Sequence, residues 1–346
     1  MKLRFCIPLF FLFLALTVSC SCGKDVRSFE AMNTFMVIKS YGRKAAKANL
    51  LAQKRICELE DFISVTKAES DVCRVNESLG NEIVLHDETF FVLDFALKTA
   101  DESSGVFNPL LYPVIREWGF TTGEYRVPAK PEIERLMGFT DYRKVKLNPE
   151  KKSVALEKNM MIDLGAVGKG YAGDCALQVL RQNGIKSAVL DLGGNVQVLG
   201  KKTDGSLWKI GVKSPWGEGT AAGLEVEDMA VISSGGYERF FEKDGKRYIH
   251  IFDGRTGFPA ENELAAVTVV CKTGLLGDSL STTLFVMGLE EACAFWRNRR
   301  DKKKADDSLN TFSSRDANRI NLNSSFLGKK LTGVPLQVCL FHLPSP

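Results

Sequence analysis

The chain has 346 residues, of which 45% are hydrophobic and 25% are charged. This length and composition allow a sizeable core, in one large domain or in two closely packed ones, and exclude a disordered protein. The net charge of +4 is unevenly placed. From Arg297 onward ten basic and four acidic residues give +6, whereas the rest of the chain carries −2. The main part therefore lacks the positive footprint of a nucleic-acid-binding protein, and we expect no nucleic-acid partner.

The first residues have the pattern of an export signal. Lys2 and Arg4 precede an apolar run from Cys6 to Val18, and Ser19 and Cys20 follow it. The run is too short for a comfortable membrane span. Small residues directly before a cysteine are typical of lipoprotein processing, in which the cysteine becomes the lipidated N-terminus.

We therefore expect a signal peptide over residues 1–19, lipidation at Cys20 and a tether over residues 20–28, so that the lipid membrane is a partner through this anchor. Thr17 stands where such sites usually carry leucine. For that reason lipidation at Cys22, or plain signal cleavage, stays open. The expected location is the bacterial inner membrane, as a lipoprotein facing the periplasm, or another extracytoplasmic face.

Six of the nine cysteines lie outside the export segment, with no Cys-x-x-Cys pair and no histidine at ligand spacing. Zinc is therefore not expected, and the thiols should pack mostly as small hydrophobes. A disulfide stays open, because the sequence assigns no pairing. The six are Cys57, Cys73, Cys175, Cys271, Cys293 and Cys339.

Apolar periodicity and turn residues predict a strand, several helices and a hairpin in the first half of the chain. The first helix should bury a stripe of Ala52, Ile56, Leu59 and Ile63. In chain order we expect a strand over Thr34–Tyr41, helices over Arg43–Ile63 and from Asp87 as N-cap to near Ser103, a short helix from Pro131, a hairpin around Asn148-Pro149, and a helix from Gly170 to Asn183 closed by Gly184.

Short strands dominate the next hundred residues. The segments SAVLDLG, VQVLG, LWKIGVK and MAVISSG read as strands, and FFEKDGKRYIHIF reads as a hairpin turned by Asp244-Gly245. Leu264–Lys272 reads as a buried strand, and a helix starts near Leu275. Strands in runs, interrupted by single helices, predict an α+β fold with mixed β-sheets and packed helices.

The densest chemical signal is Met161–Asp174, MIDLGAVGKGYAGD, which reads as a strand, a glycine-rich turn and a helix N-terminus. Such a segment can hold a phosphate, although a tight turn that needs glycine for positive φ explains it equally well. Further segments of the same character follow. They are Leu190–Gly200, Ile232–Phe241, His250–Ala260 and the helix start at Leu275–Gly288.

In this order and spacing the segments resemble the ApbE family, the flavin transferases that take FMN from FAD and attach it to a threonine of a target protein. Asp-Leu-Gly and His-x-x-Asp-x-x-Thr-Gly-x-Pro are specific as a set. The resemblance covers Phe29–Leu289 and implies a two-lobed catalytic domain with a cleft, here residues 29–290. Residues 291–346 form a divergent basic tail, and we expect much of Arg297–Pro346 to be disordered or loosely packed because it is polar and weakly periodic.

Asp278 and Thr282 are the candidate metal ligands. Four residues apart on a helix they share one face, and a carboxylate with a hydroxyl is a partial oxygen shell that Mg²⁺ accepts. The alternative is an aspartate that merely favours a helix N-terminus. The resemblance implies that both residues bind Mg²⁺ together with the backbone carbonyl of Ala166. Ser281 stands where some family members have a second acid.

The resemblance also implies which residues contact FAD. Thr66 occupies a slot where related proteins often carry a tyrosine that stacks on the ring, and Asn33 stands where glycine is common. For Met32 and Phe252 an ordinary place in the core remains an alternative. The implied contacts are Met32, Thr66, Val106, Phe107, Asn108, Asp163, Lys169 and Phe252.

His250, one of only three histidines, is the candidate catalytic base. An unperturbed histidine has a pKa suited to taking a proton near neutral pH. By resemblance it would take the proton of the acceptor threonine. Asp253 either orients His250 or caps the following turn, and we favour the turn.

The resulting hypothesis is a Mg²⁺-dependent FAD:protein FMN transferase that releases AMP. The resemblance implies acceptor proteins that are flavin-bearing subunits of membrane redox or ion-pumping complexes. Two alternatives stay open: an FAD pyrophosphatase that uses water and yields FMN and AMP, and a flavin-binding lipoprotein without turnover.

Overall fold

The computed structural model describes residues 23–305, 319–322, 328–333 and 336–342. The expected signal peptide and both candidate lipidation sites, Cys20 and Cys22, lie outside these residues. Within them, no helix combines the length and the apolar character needed to cross a membrane. Helices and antiparallel sheets occur together, so the α+β class is confirmed.

The described residues form sixteen strands and seven α-helices. The strands are β1 (Lys24–Ala31), β2 (Thr34–Tyr41), β3 (Ile83–Val84), β4 (Lys146–Asn148), β5 (Ser153–Ala155), β6 (Ser187–Asp191), β7 (Asn195–Leu199), β8 (Trp208–Lys213), β9 (Thr220–Val226), β10 (Ala230–Gly235), β11 (Phe240–Lys243), β12 (Lys246–Ile249), β13 (Leu264–Cys271), β14 (Arg319–Leu322), β15 (Gly328–Gly333) and β16 (Leu336–His342). The helices are α1 (Ala45–Ile63), α2 (Asp71–Asn76), α3 (Asp87–Glu102), α4 (Tyr112–Glu117), α5 (Lys130–Met137), α6 (Gly165–Gln182) and α7 (Gly274–Ala305), the last interrupted by a non-helical Gly288.

An eight-stranded sheet in the order β1-β2-β6-β7-β10-β13-β16-β15 organises the molecule. Two three-stranded sheets, β14-β9-β8 and β3-β5-β4, and the hairpin β11-β12 accompany it. The pairings between these strands are antiparallel, which corrects the expectation of sheets mixed in direction. Antiparallel neighbours can be joined by short turns, and no crossover helix is then required.

Strand β13 shows why the sequence needs a continuous apolar run near residue 270. All eight of its residues are buried. Val267 and Val269 contribute to a core shared with α7, whereas Ala266 and Val270 contribute to a core shared with β8 and β9. Successive strand residues point to opposite faces, so a strand covered on both sides needs apolar residues throughout. The predicted buried strand is confirmed.

Helix α1 covers the β1–β2 end of the large sheet and packs against α6. Its predicted stripe of Ala52, Ile56, Leu59 and Ile63 is buried. These residues recur every three or four positions, so they lie on one face of the helix. The first predicted helix is therefore confirmed, with its start at Ala45.

The expected tether needs correction. Lys24 to Ser28 belong to β1, which pairs with β2 along its whole length. The side chains of β1 alternate between exposed and half-buried. An edge strand with one face in solvent can be largely polar, so its composition resembles that of a linker. The folded domain therefore begins before Phe29.

The glycine-rich segment at Met161–Asp174 also differs from expectation. The structure has no strand there, and α6 begins at Gly165, five residues before the predicted start. A Cβ on Gly168 would press on Ile63, and one on Gly170 would collide with the backbone of Gly274. These glycines allow helices to approach closely, and none of them needs positive φ.

The described residues after 290 include regular secondary structure that was not expected. Helix α7 continues to Ala305, beyond the predicted boundary. Strands β15 and β16 extend the large sheet next to β13, and β14 pairs with β9. The prediction of a loosely packed tail is therefore wrong for these strands. Their pairing partners lie far away in the chain, so local periodicity gives little sign of them.

Five of the cysteines lie in the part of the chain whose side chains the structure describes. Cys73, Cys175 and Cys293 are buried and Cys57 is half-buried, all four as free thiols, and Cys271 is buried. Cys57, Cys175, Cys271 and Cys293 lie among apolar side chains, as expected for cysteines that pack as small hydrophobes.

Candidate active site

The hairpin turn between β1 and β2 carries Met32, one of the expected flavin contacts. Met32 and Asn33 have positive φ, 50° and 56°, and Ala31 pairs with Thr34, which is the type I′ arrangement. Asparagine tolerates this conformation, so Asn33 can replace the glycine that is common in the family. The Met32 N–H donates to Glu60 Oε1 at 2.7 Å, and this bond ties the turn to α1.

Thr66 lies on the loop after α1 and is exposed. Its N–H donates to Ser64 Oγ at 3.1 Å. The neighbouring Lys67 donates to Glu60 Oε2 at 3.0 Å, and the other oxygen of this carboxylate holds Met32. Glu60 therefore brings the loop of Thr66 and the turn of Met32 together at one end of α1.

The turn at residues 106–108 packs against the motif that begins at His250. The Gly254 N–H donates to Val106 O at 3.0 Å. A Cβ on Gly254 would collide with the carbonyl oxygen of Gly105. The glycine of the motif is therefore required by this close approach of two backbone segments.

The side chains of the 106–108 turn are occupied by the fold. Val106 and Phe107 are buried. The Asn108 amide donates to Thr140 O and its Oδ1 accepts from Leu110 N, both at 2.9 Å. These contacts stabilise the turn itself. Any contact with FAD would therefore have to use atoms of the turn that remain exposed to solvent.

Phe252 belongs to an aromatic core cluster. Its ring lies edge-on to Trp118 and Phe120, with centroids 5.8 and 5.6 Å away, and the side chain is only 6% exposed. Phe252 therefore occupies an ordinary core position, which was the alternative left open for this residue by the sequence.

Asp253 caps the turn that follows it. Its Oδ1 accepts from the Arg255 N–H at 2.8 Å, and its carbonyl accepts from Thr256 and Gly257 N–H groups. The preferred interpretation of Asp253 as a turn residue is confirmed.

Asp163 and Lys169 lie at the start of α6. Asp163 Oδ1 accepts from the Gly165 N–H at 2.8 Å, which organises the entry into the helix. Desolvation raises the pKa of Asp163, and the nearby positive charges of Arg239 and Lys169 act in the opposite direction. Ala166 is exposed in the first turn of the helix.

Asp278 lies in the first turns of α7, 7% exposed, and faces α6 and β7. Its Oδ2 accepts from the Gly170 N–H at 2.5 Å. Its Oδ1 accepts from Asn195 Nδ2 at 3.0 Å. Desolvation raises the pKa of Asp278, while Lys169 and these two hydrogen bonds favour the ionised form. The carboxylate is thus held by neutral donors, with one cation nearby.

Thr282 follows one turn later and lies among hydroxyl groups. Ser234 Oγ donates to Ser281 Oγ at 2.8 Å and is 3.4 Å from Thr282 Oγ1. Ser281 in turn donates to the carbonyl of Asp278. Ser281 and Thr282 therefore contribute uncharged hydroxyl groups next to Asp278 in the chain.

His250 follows β12 and is held by Arg239, directly before β11. The His250 backbone N–H and ring Nδ1 lie 3.1 and 3.0 Å from Arg239 O. A carbonyl oxygen only accepts, so Nδ1 carries the proton and Nε2 keeps a free lone pair. Desolvation lowers the pKa of His250 to about 4, and the charges of Arg239 and Lys169 contribute. The ring is therefore neutral at physiological pH.

Lys169 connects these groups electrostatically. Its charge acts on Asp163, His250 and Asp278 together, although they come from α6, the end of β12 and α7. The predicted base His250, the predicted metal ligand Asp278 and the predicted FAD contact Asp163 are therefore within electrostatic range of Lys169. The 106–108 turn joins the His250 motif through the hydrogen bond from Gly254 to Val106, whereas Met32 and the loop of Thr66 are joined to each other through Glu60.

Sequence reasoning missed several polar residues of the site. Asn195 and Gln197 are buried on β7, and Asp174 accepts from the Gly274 and Leu275 N–H groups at the start of α7. Asn195 and Gln197 are two residues apart in NVQVL, so they lie on the same face of the strand. Neither side chain carries a charge that needs an ionic partner. Two amides on one buried strand face are a readable signal of an internal polar network.

Comparison with known proteins shows the family. The family model described as the ApbE family matches residues 32–305. The chain belongs to the ApbE family. The resemblance proposed from the motifs is therefore confirmed, and the family match continues past Leu289, where the motifs ended, to the end of α7.

Relatives of the ApbE family support this from sequence. A protein named FAD:protein FMN transferase from Klebsiella pneumoniae is 36% identical over 282 residues, covering 80% of this chain and 87% of the relative. One of the same name from Treponema pallidum is 32% identical over 305 residues, covering 80% and 84%. The expectation of an enzyme of the transferase class is confirmed.

Solved ApbE structures share the fold. The crystal structure of an ApbE protein from Thermotoga maritima has a TM-score of 0.75 at 29% identity and covers 82% of this chain and 92% of its own. The apo flavinyl transferase ApbE of Pseudomonas stutzeri has a TM-score of 0.71 at 28% identity, covering 80% and 89%. The expected ApbE-like domain architecture is thereby confirmed.

Proposed function

We propose that this protein is a Mg²⁺-dependent FAD:protein FMN transferase. The oxygen of an acceptor threonine attacks the riboflavin-side phosphorus of FAD. A new phosphorus–oxygen bond forms to threonine, the bond to the AMP phosphate breaks, and AMP leaves while a base takes the threonine proton. The names of the relatives support the transfer itself. Threonine as acceptor, AMP as product and the metal are our proposal.

The observation that carries the proposal is the position of Lys169. Its positive charge acts on a buried carboxylate, Asp278, and on a neutral imidazole, His250. Cleavage of a pyrophosphate asks mainly for charge neutralisation and correct placement of the attacking oxygen. This reaction needs a cation, a base and a carboxylate that can hold a metal ion, and His250 and Asp278 are both within electrostatic range of Lys169.

His250 is the proposed base because its protonation state is already suitable. The bond from Nδ1 to Arg239 O leaves Nε2 free to accept the threonine proton. The charges of Lys169 and Arg239 disfavour the imidazolium. The same charges would stabilise the phosphate groups of FAD. Because these charges disfavour the imidazolium, a proton taken up by His250 would be given up readily after the transfer.

The residues at Asp278 suit a magnesium ion, which prefers oxygen ligands and often completes its shell with substrate phosphates. Asp278 offers a carboxylate and Thr282 a hydroxyl. The Gly170 N–H, four residues after Ala166, donates to Asp278, and the carbonyl oxygen of Ala166 has two lone pairs with which it could contact a cation. When bound, Mg²⁺ would neutralise charge on the pyrophosphate oxygens.

A direct test uses the purified chain with FAD, Mg²⁺ and a threonine-containing acceptor peptide. We expect mass spectrometry to find peptide carrying FMN and an equal amount of AMP. Asp278→Ala should abolish transfer, because it removes the only carboxylate proposed for the cation. Asp204→Ala, at an exposed turn, should leave it unchanged. Full transfer by Asp278→Ala, with stability lowered by only about 0.3–1 kcal/mol, would instead assign Asp278 to the helix start.

The same assay separates the alternatives. Free FMN with unmodified peptide would indicate an FAD pyrophosphatase, in which water replaces threonine. Intact FAD retained by the protein would indicate a binding protein without turnover. The neutral His250 with a free Nε2 favours an enzyme over a passive binder, because binding alone does not require a base.

We also propose that the protein is exported and anchored to the membrane by a lipid on Cys20, where it would meet flavin-bearing subunits of membrane redox or ion-pumping complexes. The support is the charged, apolar and small-residue pattern that precedes Cys20. Cys20→Ala should abolish metabolic lipid labelling and release the protein from membranes. Unchanged labelling in this variant, together with its loss in Cys22→Ala, would move the anchor to Cys22.

A further inference from the structure

Gln197, on β7, is a buried amide that the proposed reaction does not use. It is 1% exposed. Its Nε2 donates to Gly170 O at 3.0 Å and to Asn195 Oδ1 at 3.1 Å. Asn195 in turn donates to Asp278. Gln197 therefore contacts both groups that hydrogen-bond the Asp278 carboxylate.

These contacts fix the orientation of both amides. Gly170 O only accepts, so Gln197 must present its NH₂ group to α6. The second hydrogen of that group meets Asn195 Oδ1, and Asn195 is then left with its NH₂ group toward Asp278. Turning either amide over would place two acceptors against each other. The result is that both oxygens of Asp278 face hydrogen-bond donors.

The backbone around Gln197 is built to admit it. A Cβ on Gly173 or on Gly274 would collide with Gln197 Nε2. Neither glycine has positive φ, so their backbone conformations do not demand glycine. The lack of space demands glycine at both positions, because a Cβ on α6 or α7 would occupy the place where the Gln197 amide passes between the helices. This space is specific to a side chain that reaches Gly170.

We propose that Gln197 is a positioning residue for the divalent cation at Asp278, an inference that rests on the proposed function. Through Asn195 and Gly170 it fixes the direction of the carboxylate without placing a positive charge on it. A lysine or arginine in this place would compete with the cation, whereas neutral donors leave the negative charge available. Groups that orient a metal ligand in this way commonly change metal affinity 10–100-fold, roughly, when removed.

The test compares Mn²⁺ binding by variants of the full chain in the presence of FAD, followed by electron paramagnetic resonance. Gln197→Met keeps the length and volume of the side chain but donates no hydrogen bond. We expect Mn²⁺ affinity to fall about 10–100-fold. Transfer should recover at high Mn²⁺, because Asp278 is still present. In Asp278→Ala it should not recover.

Asn49→Leu is the matched control. Asn49 is another buried amide, which bonds Ser40 and Asp25 between α1 and the β1–β2 hairpin. Its removal should lower the melting temperature while leaving Mn²⁺ affinity unchanged. If Gln197→Met does not fold, Gly173→Ala displaces the amide by the collision described above and should show the same loss of affinity.

The outcomes distinguish the inference from the proposed function. Wild-type Mn²⁺ affinity in folded Gln197→Met or Gly173→Ala would overturn the positioning role while leaving the metal site intact. The same fall in affinity in Asn49→Leu would overturn it as well, because loss of stability would then explain the effect. No Mn²⁺ binding by the wild-type chain would reject the proposed metal site and this inference with it.

Discussion

Desolvation is the largest cause of the pKa shifts of His250 and Asp278, ahead of their contacts with neighbouring groups. The His250 ring is held neutral by desolvation and by two nearby cations, with its proton fixed on Nδ1 by Arg239 O. Asp278 experiences the same desolvation, but neutral donors and Lys169 favour its charged form. Desolvation in one environment thus lowers the pKa of the base and raises the pKa of the carboxyl group, because burial disfavours the charged form of each.

His250→Asn tests the base. Asparagine retains a donor for Arg239 O but cannot accept a proton as imidazole does. We expect transfer to threonine to fall by about 10²–10⁴ with little change in FAD affinity. Single-turnover kinetics and FAD titration would measure both quantities.

The titration of the imidazole supplies an independent readout for the same residue. Because the pKa of His250 is lowered to about 4, its ring should stay neutral as pH falls through the ordinary histidine range. The NMR signals of the ring should show protonation only near the lowered value. Equal losses of rate and FAD affinity in His250→Asn would identify a ligand contact or a structural residue instead of a base.

At the scale of elements, the crossing of α6 and α7 positions the carboxylate. Gly170 lies against the backbone of Gly274, and Asp174 accepts both N–H groups at the start of α7. Desolvation raises the pKa of Asp174 to about 6, with two backbone hydrogen bonds opposing it and Asp278 adding to it. The helices are thus joined by backbone contact on one side and by a carboxylate on the other.

Gly170→Ala should separate these helices. The added Cβ would collide with the carbonyl of Gly274, which is backbone and cannot turn aside. We expect a loss of about 1–3 kcal/mol in unfolding free energy, typical of overpacking. Metal binding should weaken too, because the Gly170 N–H holds Asp278.

Gly168→Ala in the same helix is the control for this prediction. Its Cβ would press on the end of the Ile63 side chain, which can change rotamer. Denaturant unfolding should therefore show a smaller loss for Gly168→Ala than for Gly170→Ala. Equal losses would mean that general crowding of α6, and not the backbone contact with α7, limits this position.

Local sequence pattern predicts the helices and strands whose packing imposes a regular spacing of apolar residues or a particular turn. Strand β2, the hairpin at Asp244-Gly245 and the buried β13 all follow from alternation, turn chemistry or a continuous apolar run. Strand β1 is polar on its exposed face and reads as a linker. The sequence pattern predicts the start of α6 too late, because glycines that allow close packing cannot be told from turn glycines in a sequence.

The residues of the site likewise include some that local motifs predict and some that they do not. His250, Asp278 and Lys169 are predicted from motifs that resemble those of the family. Gln197 and Glu60 act through hydrogen bonds to residues far away in sequence, so local pattern does not show which residues they contact. Phe252 shows the opposite case, since an aromatic residue inside a functional motif belongs to the core.

At the scale of the whole molecule, the tail completes the large sheet. Strand β16 pairs with β13 on one side and β15 on the other, so β13 is an interior strand. All residues of β13 are buried and most are aliphatic. Without β16, this strand would present an apolar edge with unpaired N–H and C=O groups, which is a template for aggregation.

A chain ending at Ala305 should therefore be less stable and should aggregate, although it keeps every residue proposed for catalysis. Thermal melting with light scattering would measure both effects, and a chain ending at His342 is the control because it keeps all three tail strands. Val338→Pro should reproduce much of the loss, since a proline in a strand paired on both sides always removes a ladder hydrogen bond. A chain ending at Ala305 that melts like the control and scatters no more light would show that the domain does not depend on β16.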